Sequence, residues 1–594
     1  MANIGGVELE ERGQSPKQRS VDRNEGEEEI DKFKPGWKLL AAFASIAVVN
    51  LATTLDASII SVALPVITVD LKGSAIQASW SGTSFLLTST VCQPNFVALS
   101  HLWGRRSLLL TALTFFTVGS IVCAISRNFV QMLAGRSVQG VGAGGVIVMT
   151  EILITDMVPL REQGNYYAAI SIVWIVGSVA GPFIGGALAQ KHAWRWIFYL
   201  NLPIVAIGFA GIIAFLRLES RRLPVRQRIR QFDYVGAVIF LASSNSLLLP
   251  ITWGGVMYTW SSWRTLVPMI LGVLGLAMFI FYEAYFHYEG SRFVMPNTQS
   301  LLPLNIFLNK DSNIAYFVTF IHGIIVWTLL YYLPLFFEGA KDFTPILAGV
   351  AALPLILTII PFCGIVGVVA ARTGRYRGAL RCGWVLTTLG TGILYLLSPK
   401  TSTPEWVLLM LVSGIGIGLM IPAMALAVQA SAPSHDVAVA TAMFTFFRSF
   451  GQTVGVAIGG VMFQNQMAAN AAAYPALSES ATQYSLDVVG LIRQINAMLN
   501  SDSTKRLLQL VLGQSIRPIW ALLSGMAGVA LLSTIFMKHY DLNQQLSTEQ
   551  GFEGQWRPSN KHRCEQAVGK QITNVADPKT ILEQWQIMCK VHHS

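Results

Sequence analysis

Fourteen apolar runs, each roughly the length of a membrane-crossing helix, constrain this chain more than any other feature of its sequence. They lie at about 38–67, 79–100, 107–125, 129–151, 165–189, 197–216, 234–253, 265–286, 312–337, 346–370, 380–397, 405–429, 438–462 and 516–537. The hydrocarbon core of a bilayer is about 30 Å thick, so a spanning helix needs about 20 mostly apolar residues. In lipid the backbone must satisfy its own hydrogen bonds, which a helix does. The composition agrees: 53% of the 594 residues are hydrophobic and only 12% are charged, against about 25% charged in a soluble domain. Charge collects at the ends, with sixteen Asp, Glu, Lys and Arg residues in 1–38 and thirteen in 538–594. An ordinary soluble enzyme, a secreted disulfide scaffold and a wholly disordered chain are excluded.

The six cysteines show no metal-ligand spacing, and no disulfide framework is expected. No N-x-Ser/Thr acceptor occurs, and the polar start of the chain carries no pattern of a cleavable signal peptide. The net charge of +10 matters through its placement. One set of short loops holds Arg105, Arg106, Arg161, the six arginines from Arg217 to Arg230, Arg292, Lys310, Arg372, Arg375, Arg377 and Arg381; the other holds Lys72, Arg127, Lys191, Arg195, Arg264, Lys341 and Lys400. By the positive-inside rule the richer set is cytosolic, and with an even number of spans both termini lie on that side. The basic run needs no nucleic-acid partner; as a topology determinant it belongs beside the bilayer.

A feature recurs half a chain apart. HLWGRRSLLL (His101 to Leu110) joins runs two and three, and RTGRYRGAL (Arg372 to Leu380) joins runs ten and eleven. Repeated bundles are common among membrane proteins, so the chain reads as an all-α integral membrane protein in seven parts. These are a cytosolic tail 1–37, a six-helix bundle 38–216, a basic linker 217–233, two additional helices 234–286, a loop 287–311, a second six-helix bundle 312–537 and a tail 538–594. The second bundle includes a long outer segment, 463–515, in which the stretches Val488 to Met498 and Leu507 to Leu512 look interfacial. Glycines recur at i and i+4, at Gly140 and Gly144, Gly177, Gly181 and Gly185, Gly414 and Gly418, and Gly451, Gly455 and Gly459, the spacing that lets helices approach closely. Pro182 among them predicts a bend. GVGAGG at Gly140 formally fits a dinucleotide loop, but it sits inside an apolar helix with no strand before it.

A charge at a helix centre in the bilayer costs at least about 2.5 kcal/mol, so the few present are functional candidates: Asp56, Arg136, Glu151, His322 and Arg448. Asp156, Glu283 and Glu338 fall at run ends, where solvation accounts for them. Burial disfavours an ionised carboxylate and a nearby guanidinium favours it. A rearrangement that changes the distance from Asp56 to Arg136 would therefore load or release a proton. No zinc-protease helix, nucleophile elbow, phosphate-binding loop or histidine cluster occurs, so neither enzyme chemistry nor a cofactor is expected.

Five motifs in order carry a resemblance. LDASIISVALP (Leu55 to Pro65), LAGRSVQGVGAGG (Leu133 to Gly145), GSVAGPFIGG (Gly177 to Gly186), WRWIFYLNLP (Trp194 to Pro203) and FFRSFGQTVGVAIGG (Phe446 to Gly460) resemble the signatures of the fourteen-spanning drug:proton antiporters of the major facilitator superfamily. Within that branch the chain resembles the fungal multidrug and toxin efflux pumps, whose usual close is similar to DLNQQLSTEQGF (Asp541 to Phe552). The resemblance covers about residues 38–552. It implies two six-helix bundles plus two central helices, with Asp56, Arg136 and Glu151 in proton coupling. It also implies a cargo cavity at Trp80, Gln93, Trp174, His322, Trp327, Tyr331, Phe447 and Arg448, and conformational motifs at Gly104, Arg105, Arg106, Gly177, Gly181, Pro182 and Gly185. One departure stands out: His101 occupies the position of the family's Asp in the loop after the second span, where that Asp helps latch the two halves. The latch is then weakened, made pH-sensitive or rebuilt with another partner.

The expected function is proton-driven export of small amphipathic molecules by alternating access, from a monomer in the cell membrane or, alternatively, the vacuolar membrane. A carrier of basic amino acids or siderophores on the same fold is the first alternative, disfavoured because a cationic cargo wants more carboxylates than Asp56 and Glu151. A non-transporting receptor is the second; the short tail after Lys538 disfavours it.

Overall fold

The computed structural model describes residues 35–218, 224–255, 257–286, 298–433, 436–499, 502–543 and 551–552. The tail 1–37 up to Lys34, most of the tail 538–594 and residues 287–297 of the loop 287–311 lie outside the described residues. Fourteen long helices account for most of the described residues. The first six are α1 (Trp37–Asp70), α2 (Ala75–Trp103), α3 (Arg105–Ala124), α4 (Phe129–Met157), α5 (Leu160–Gln190) and α6 (Trp196–Phe215). Next come α7 (Tyr234–Trp253) and α8 (Trp263–Phe286), followed by α9 (Lys310–Lys341), α10 (Pro345–Thr373), α11 (Arg377–Leu396), α12 (Thr403–Ser431), α13 (Val437–Ala472) and α14 (Ser503–Ile535). Local chemistry sets their starts: Ser74 with Gln77 forms a capping box for α2 and Ser402 with Glu405 one for α12, while Asn128, Asp233 and Thr344 each accept from the first turn of α4, α7 and α10.

Twelve of these helices are long and apolar enough to cross a membrane. The two others, α2 and α13, have 29 and 36 residues but carry Ser, Thr, Asn and Gln along their length. That polarity fits helices that pack in the middle of the molecule: each lies against the opposite six-helix group.

The helix neighbours repeat. In the first six, α1 packs on α5 and α6, α4 on α2 and α3, and α3 on α6; in the last six, α9 packs on α13 and α14, α12 on α10 and α11, and α11 on α14. The contacts between the groups obey the same exchange, α2 and α4 meeting α13 while α10 and α12 meet α5. α7 and α8 pair with each other, and α7 lies against α2 and α13. The glycines make these approaches. A Cβ on Gly414 would stand 2.5 Å from the Leu355 carbonyl oxygen, and one on Gly418 would stand 2.7 Å from that of Ile359. Gly140 and Gly144 meet α2 the same way, while Gly177, Gly181 and Gly185 meet α1 as Gly451, Gly455 and Gly459 meet α9. Gly104 and Gly374 turn the chain at the equivalent corners of the two halves with positive φ, 90° and 67°. GVGAGG is helix-packing surface between α2 and α3, and α5 runs unbroken through Pro182.

Three expectations change. The segment 463–515 is mostly helical at both ends: α13 continues to Ala472 and α14 begins at Ser503, so Leu507 to Leu512 belongs to the last long helix. The extensions meet where Asn470 Nδ2 donates to Ser515 Oγ at 3.0 Å, and that of α14 is also tied to the end of α9 by a 2.7 Å Lys505–Asp342 ion pair. Hydropathy marked the apolar part of these helices and not their ends. Asp156 and Glu283 are not solvated: they are 3% and 1% exposed, Asp156 paired with Arg105 and Glu283 accepting from Ser300 and from the backbone of Leu301 and Leu302.

Candidate functional site

Asp56 sits midway along α1, and other helices of the first group supply its surroundings. Its Oδ2 accepts from Arg136 Nη1 of α4 at 2.5 Å; its Oδ1 accepts from Gln139 Nε2 at 2.8 Å and from Asn201 Nδ2 of α6 at 2.7 Å. Arg136 is held in turn by Gln139 Oε1 at 2.6 Å, by the Ser81 carbonyl of α2 at 3.1 Å and by the Phe85 ring, 4.2 Å from its guanidinium carbon. Gln139 also donates to Ser120 of α3 at 2.8 Å. Asp56 and Arg136 are 0% and 1% exposed, so water does not screen the pair. A proton added to Asp56 would cancel its charge opposite Arg136 and force the guanidinium to rely on neutral acceptors. The sequence singled out the two charges and missed Gln139 and Asn201, which lie in quoted motifs; the i, i+3 step from Arg136 to Gln139 was the available signal.

A second polar layer crosses between the halves. Arg448 Nη2 of α13 donates to Glu151 Oε1 of α4 at 3.1 Å, Gln429 Nε2 of α12 donates to the Tyr167 hydroxyl of α5 at 2.6 Å, and Gln93 Nε2 of α2 donates to Ser449 Oγ at 3.0 Å. His322 is 3% exposed and neither ring nitrogen has a partner. Trp174 of α5 and Trp327 of α9 meet across the halves with ring centroids 5.2 Å apart, and the Trp327 indole N–H is unpartnered. Tyr331, one turn further along α9, is 47% exposed.

Two predicted residues go elsewhere. Trp80 turns to the additional pair, its indole N–H donating to Met257 Sδ at 3.3 Å and its ring 6.0 Å from that of Trp253. Phe447 stacks on Tyr316 at 5.3 Å and lines a separate aromatic cavity of about 300 Å³ with Phe307, Phe317, Phe320 and Phe450.

The loop ends carrying Gly104 and Gly374 define a basic face, and there the halves touch. Arg161, at the start of α5, donates to the carbonyls of Ala371 (2.6 Å) and Arg372 (2.9 Å), which close α10. A helix C-terminus offers unpaired carbonyls and a partial negative charge, so an arginine suits it. Just inside, Gly164 and Gly367 bring the two backbones together: a Cβ on Gly367 would stand 2.7 Å from the Gly164 carbonyl oxygen. Arg105 stays within its own half, bonded to Asp156 at 3.1 Å, to Ser100 and, at 3.4 Å, to His101 Nδ1; Arg106 donates to the Ile213 carbonyl at 2.6 Å. With His101 where an acid was expected, the named contacts between the halves on this face come from Arg161 and the glycine pair.

Comparison with known proteins places this architecture. A model of the Major Facilitator Superfamily matches residues 46–251 and 234–456. The chain is 48% identical over 526 residues to MFS transporter L2 of a Phoma species, covering 88% of this chain and 86% of that protein. It is 35% identical over 548 residues to the MFS-type efflux pump LUC4 of a Fusarium species, covering 91% and 94%. Among solved structures, that of the proton:xylose symporter XylE bound to 6-bromo-6-deoxy-D-glucose superposes with a TM-score of 0.50 at 12% identity, over 85% of this chain and 97% of that one; this likeness concerns the fold.

Proposed function

Since the chain belongs to the major facilitator superfamily, and is thus a multi-pass membrane transporter and not an enzyme, we propose that it exports small amphipathic molecules in exchange for protons. The observation that carries the reading is the buried Asp56–Arg136 pair, with Gln139 and Asn201 completing the carboxylate's partners. A relative named as an efflux pump supports the direction of transport.

The basic face is cytosolic in this reading, and both termini lie there. Closed by Arg161 and by Gly164 against Gly367, the bundle is then open, or ready to open, to the outside. A proton arriving from that side neutralises Asp56 and releases Arg136, which changes how α1 sits on α4. Reopening of the cytosolic side separates Glu151 from Arg448 and Tyr167 from Gln429. The proton is delivered inward on that swing; cargo then enters between the halves, passes the Trp174–Trp327 pair as the halves rock back, and leaves outward. The energy suffices without ATP: one charge moved through 100 mV is worth about 2.3 kcal/mol, roughly a fiftyfold gradient. The site residues are those of the two polar layers; Gly177, Gly181 and Gly185 form the close surface on which α5 moves against α1.

The test is efflux of a preloaded amphipathic dye from pump-deficient yeast by the parent chain and by Asp56→Asn, with and without a protonophore. Export by the parent that both the protonophore and the substitution abolish, at equal surface expression, supports proton exchange. Protonophore-insensitive export would refute it.

A further inference from the structure

The two polar layers bear on which molecules fit. The mid-helix charges Asp56, Arg136, Glu151 and Arg448 form two matched ion pairs, at 2.5 Å and 3.1 Å, so their charges cancel and a positive cargo would meet no unbalanced negative charge. Of the atoms of the same region without a hydrogen-bond partner, Glu151 Oε2 belongs to a carboxylate whose charge Arg448 already balances, Gln93 Oε1 and Gln429 Oε1 are neutral acceptors, and the uncharged groups that can donate to a cargo are the Trp327 indole N–H and the His322 ring. Trp174 and Trp327 present aromatic faces from the two halves. We infer, building on the export reading, that the preferred cargo is a molecule without net positive charge that carries a flat ring system and a carbonyl or similar acceptor. The ring stacks at the Trp174–Trp327 pair and the acceptor takes the Trp327 N–H. Aromatic faces also attract cations, by about 0.5–2 kcal/mol, but desolvating a cation without a counter-charge costs several kcal/mol. The penalty wins.

Two probes separate the readings in pump-deficient yeast: Nile red, a flat neutral dye with a carbonyl, and ethidium, a flat cation. The parent is expected to export Nile red and leave ethidium at the empty-vector level. Trp327→Phe keeps the ring and loses the donor, and should raise the half-saturating Nile red concentration about three- to tenfold. Ethidium export at a comparable rate would overturn the cargo class and leave export standing, as would an unchanged Trp327→Phe profile for the N–H. Export of neither dye would overturn both.

A different observation carries a second inference. After α14 the chain turns back over the basic face. The Lys538 N–H donates to Asp311 Oδ1 at 3.2 Å, the Tyr540 hydroxyl to Asp311 Oδ2 at 2.8 Å and the Tyr540 N–H to the Tyr376 hydroxyl at 3.4 Å, all in the second half. Leu542 is fully buried, and Arg161 Nη1 of the first half donates to Asn543 Oδ1 at 3.1 Å. Further on, Phe552 makes an antiparallel bridge with Leu218, just beyond α6. We propose that residues 538–543 and 551–552 act as a strap across the cytosolic ends of both halves that must let go before the face opens. Asn543 shares Arg161 with the carbonyls that close α10, so the strap and the latch release together.

Cys363 of α10 reports on that opening: it is fully buried, donates to the Gly418 carbonyl at 3.2 Å and lies within reach of Ser171 of α5. With the other cysteines replaced by alanine, its labelling by a membrane-permeant maleimide should quicken at least threefold in Tyr540→Phe and in Asn543→Ala, at unchanged melting temperature. Unchanged labelling in both variants would overturn the strap.

Discussion

At the residue scale, the site turns on a pair whose members cannot be removed singly at low cost. Asp56→Asn keeps the side-chain volume but leaves Arg136 buried without a counter-charge, which costs about 3–5 kcal/mol. The single variant should therefore lower the melting temperature as well as abolish proton-dependent export. Adding Arg136→Gln removes the stranded charge: the melting temperature should recover by at least half while export stays absent, a non-additive pair of the kind expected for residues in contact. Melting curves with dye efflux check both halves of this statement. The charges were legible in the sequence because an ionisable side chain in an apolar run is costly to bury and correspondingly rare. Gln139 and Asn201 were not, since a neutral amide in a helix carries no comparable penalty, and only the fold brings α6 beside α1.

At the element scale, glycine placement decides where helices touch. Gly367 meets Gly164 backbone to backbone across the halves, whereas Gly364, on the same helix, has nothing within 4 Å of its Cβ position. Gly367→Val should force the basic face apart and raise Cys363 labelling severalfold, and Gly364→Val should not; maleimide labelling rates compare them directly. The repeated glycine spacings were visible in the sequence, as were most helix centres, because a period of four among small residues is local. Helix ends were less so. α13 and α14 run past their apolar stretches because Asn470, Ser515, Lys505 and Asp342 form bonds outside them, contacts that no hydropathy window registers. The contacts of Arg161 with the end of α10 and with Asn543 join residues more than 200 positions apart and had no sequence signal.

At the scale of the whole molecule, the two six-helix groups share one neighbour scheme, and α7 and α8 stand beside the seam between α2 and α13 without interrupting it. That scheme suits the proposed rocking: the exchange that maps α5 onto α13 keeps Gly104 and Gly374 on the same basic face and gives each half an equivalent set of contacts along the seam. With the proposed orientation, in which the basic face and both termini are cytosolic, epitope tags at both termini should bind antibody on whole cells only after the plasma membrane is permeabilised and, if the chain resides in the vacuole, on isolated intact vacuoles without permeabilisation. Tag exposure on intact cells, or protection of the tags on intact vacuoles, would reverse the cycle. Proton movement and cargo movement are, in this mechanism, the two obligatory halves of one cycle. Liposomes containing the purified chain and a trapped pH-sensitive dye, with an imposed pH gradient and no nucleotide, put that coupling to the test. Adding Nile red should accelerate collapse of the gradient with the parent and not with Asp56→Asn. A collapse rate indifferent to cargo, or equal in the two proteins, would rule the coupling out.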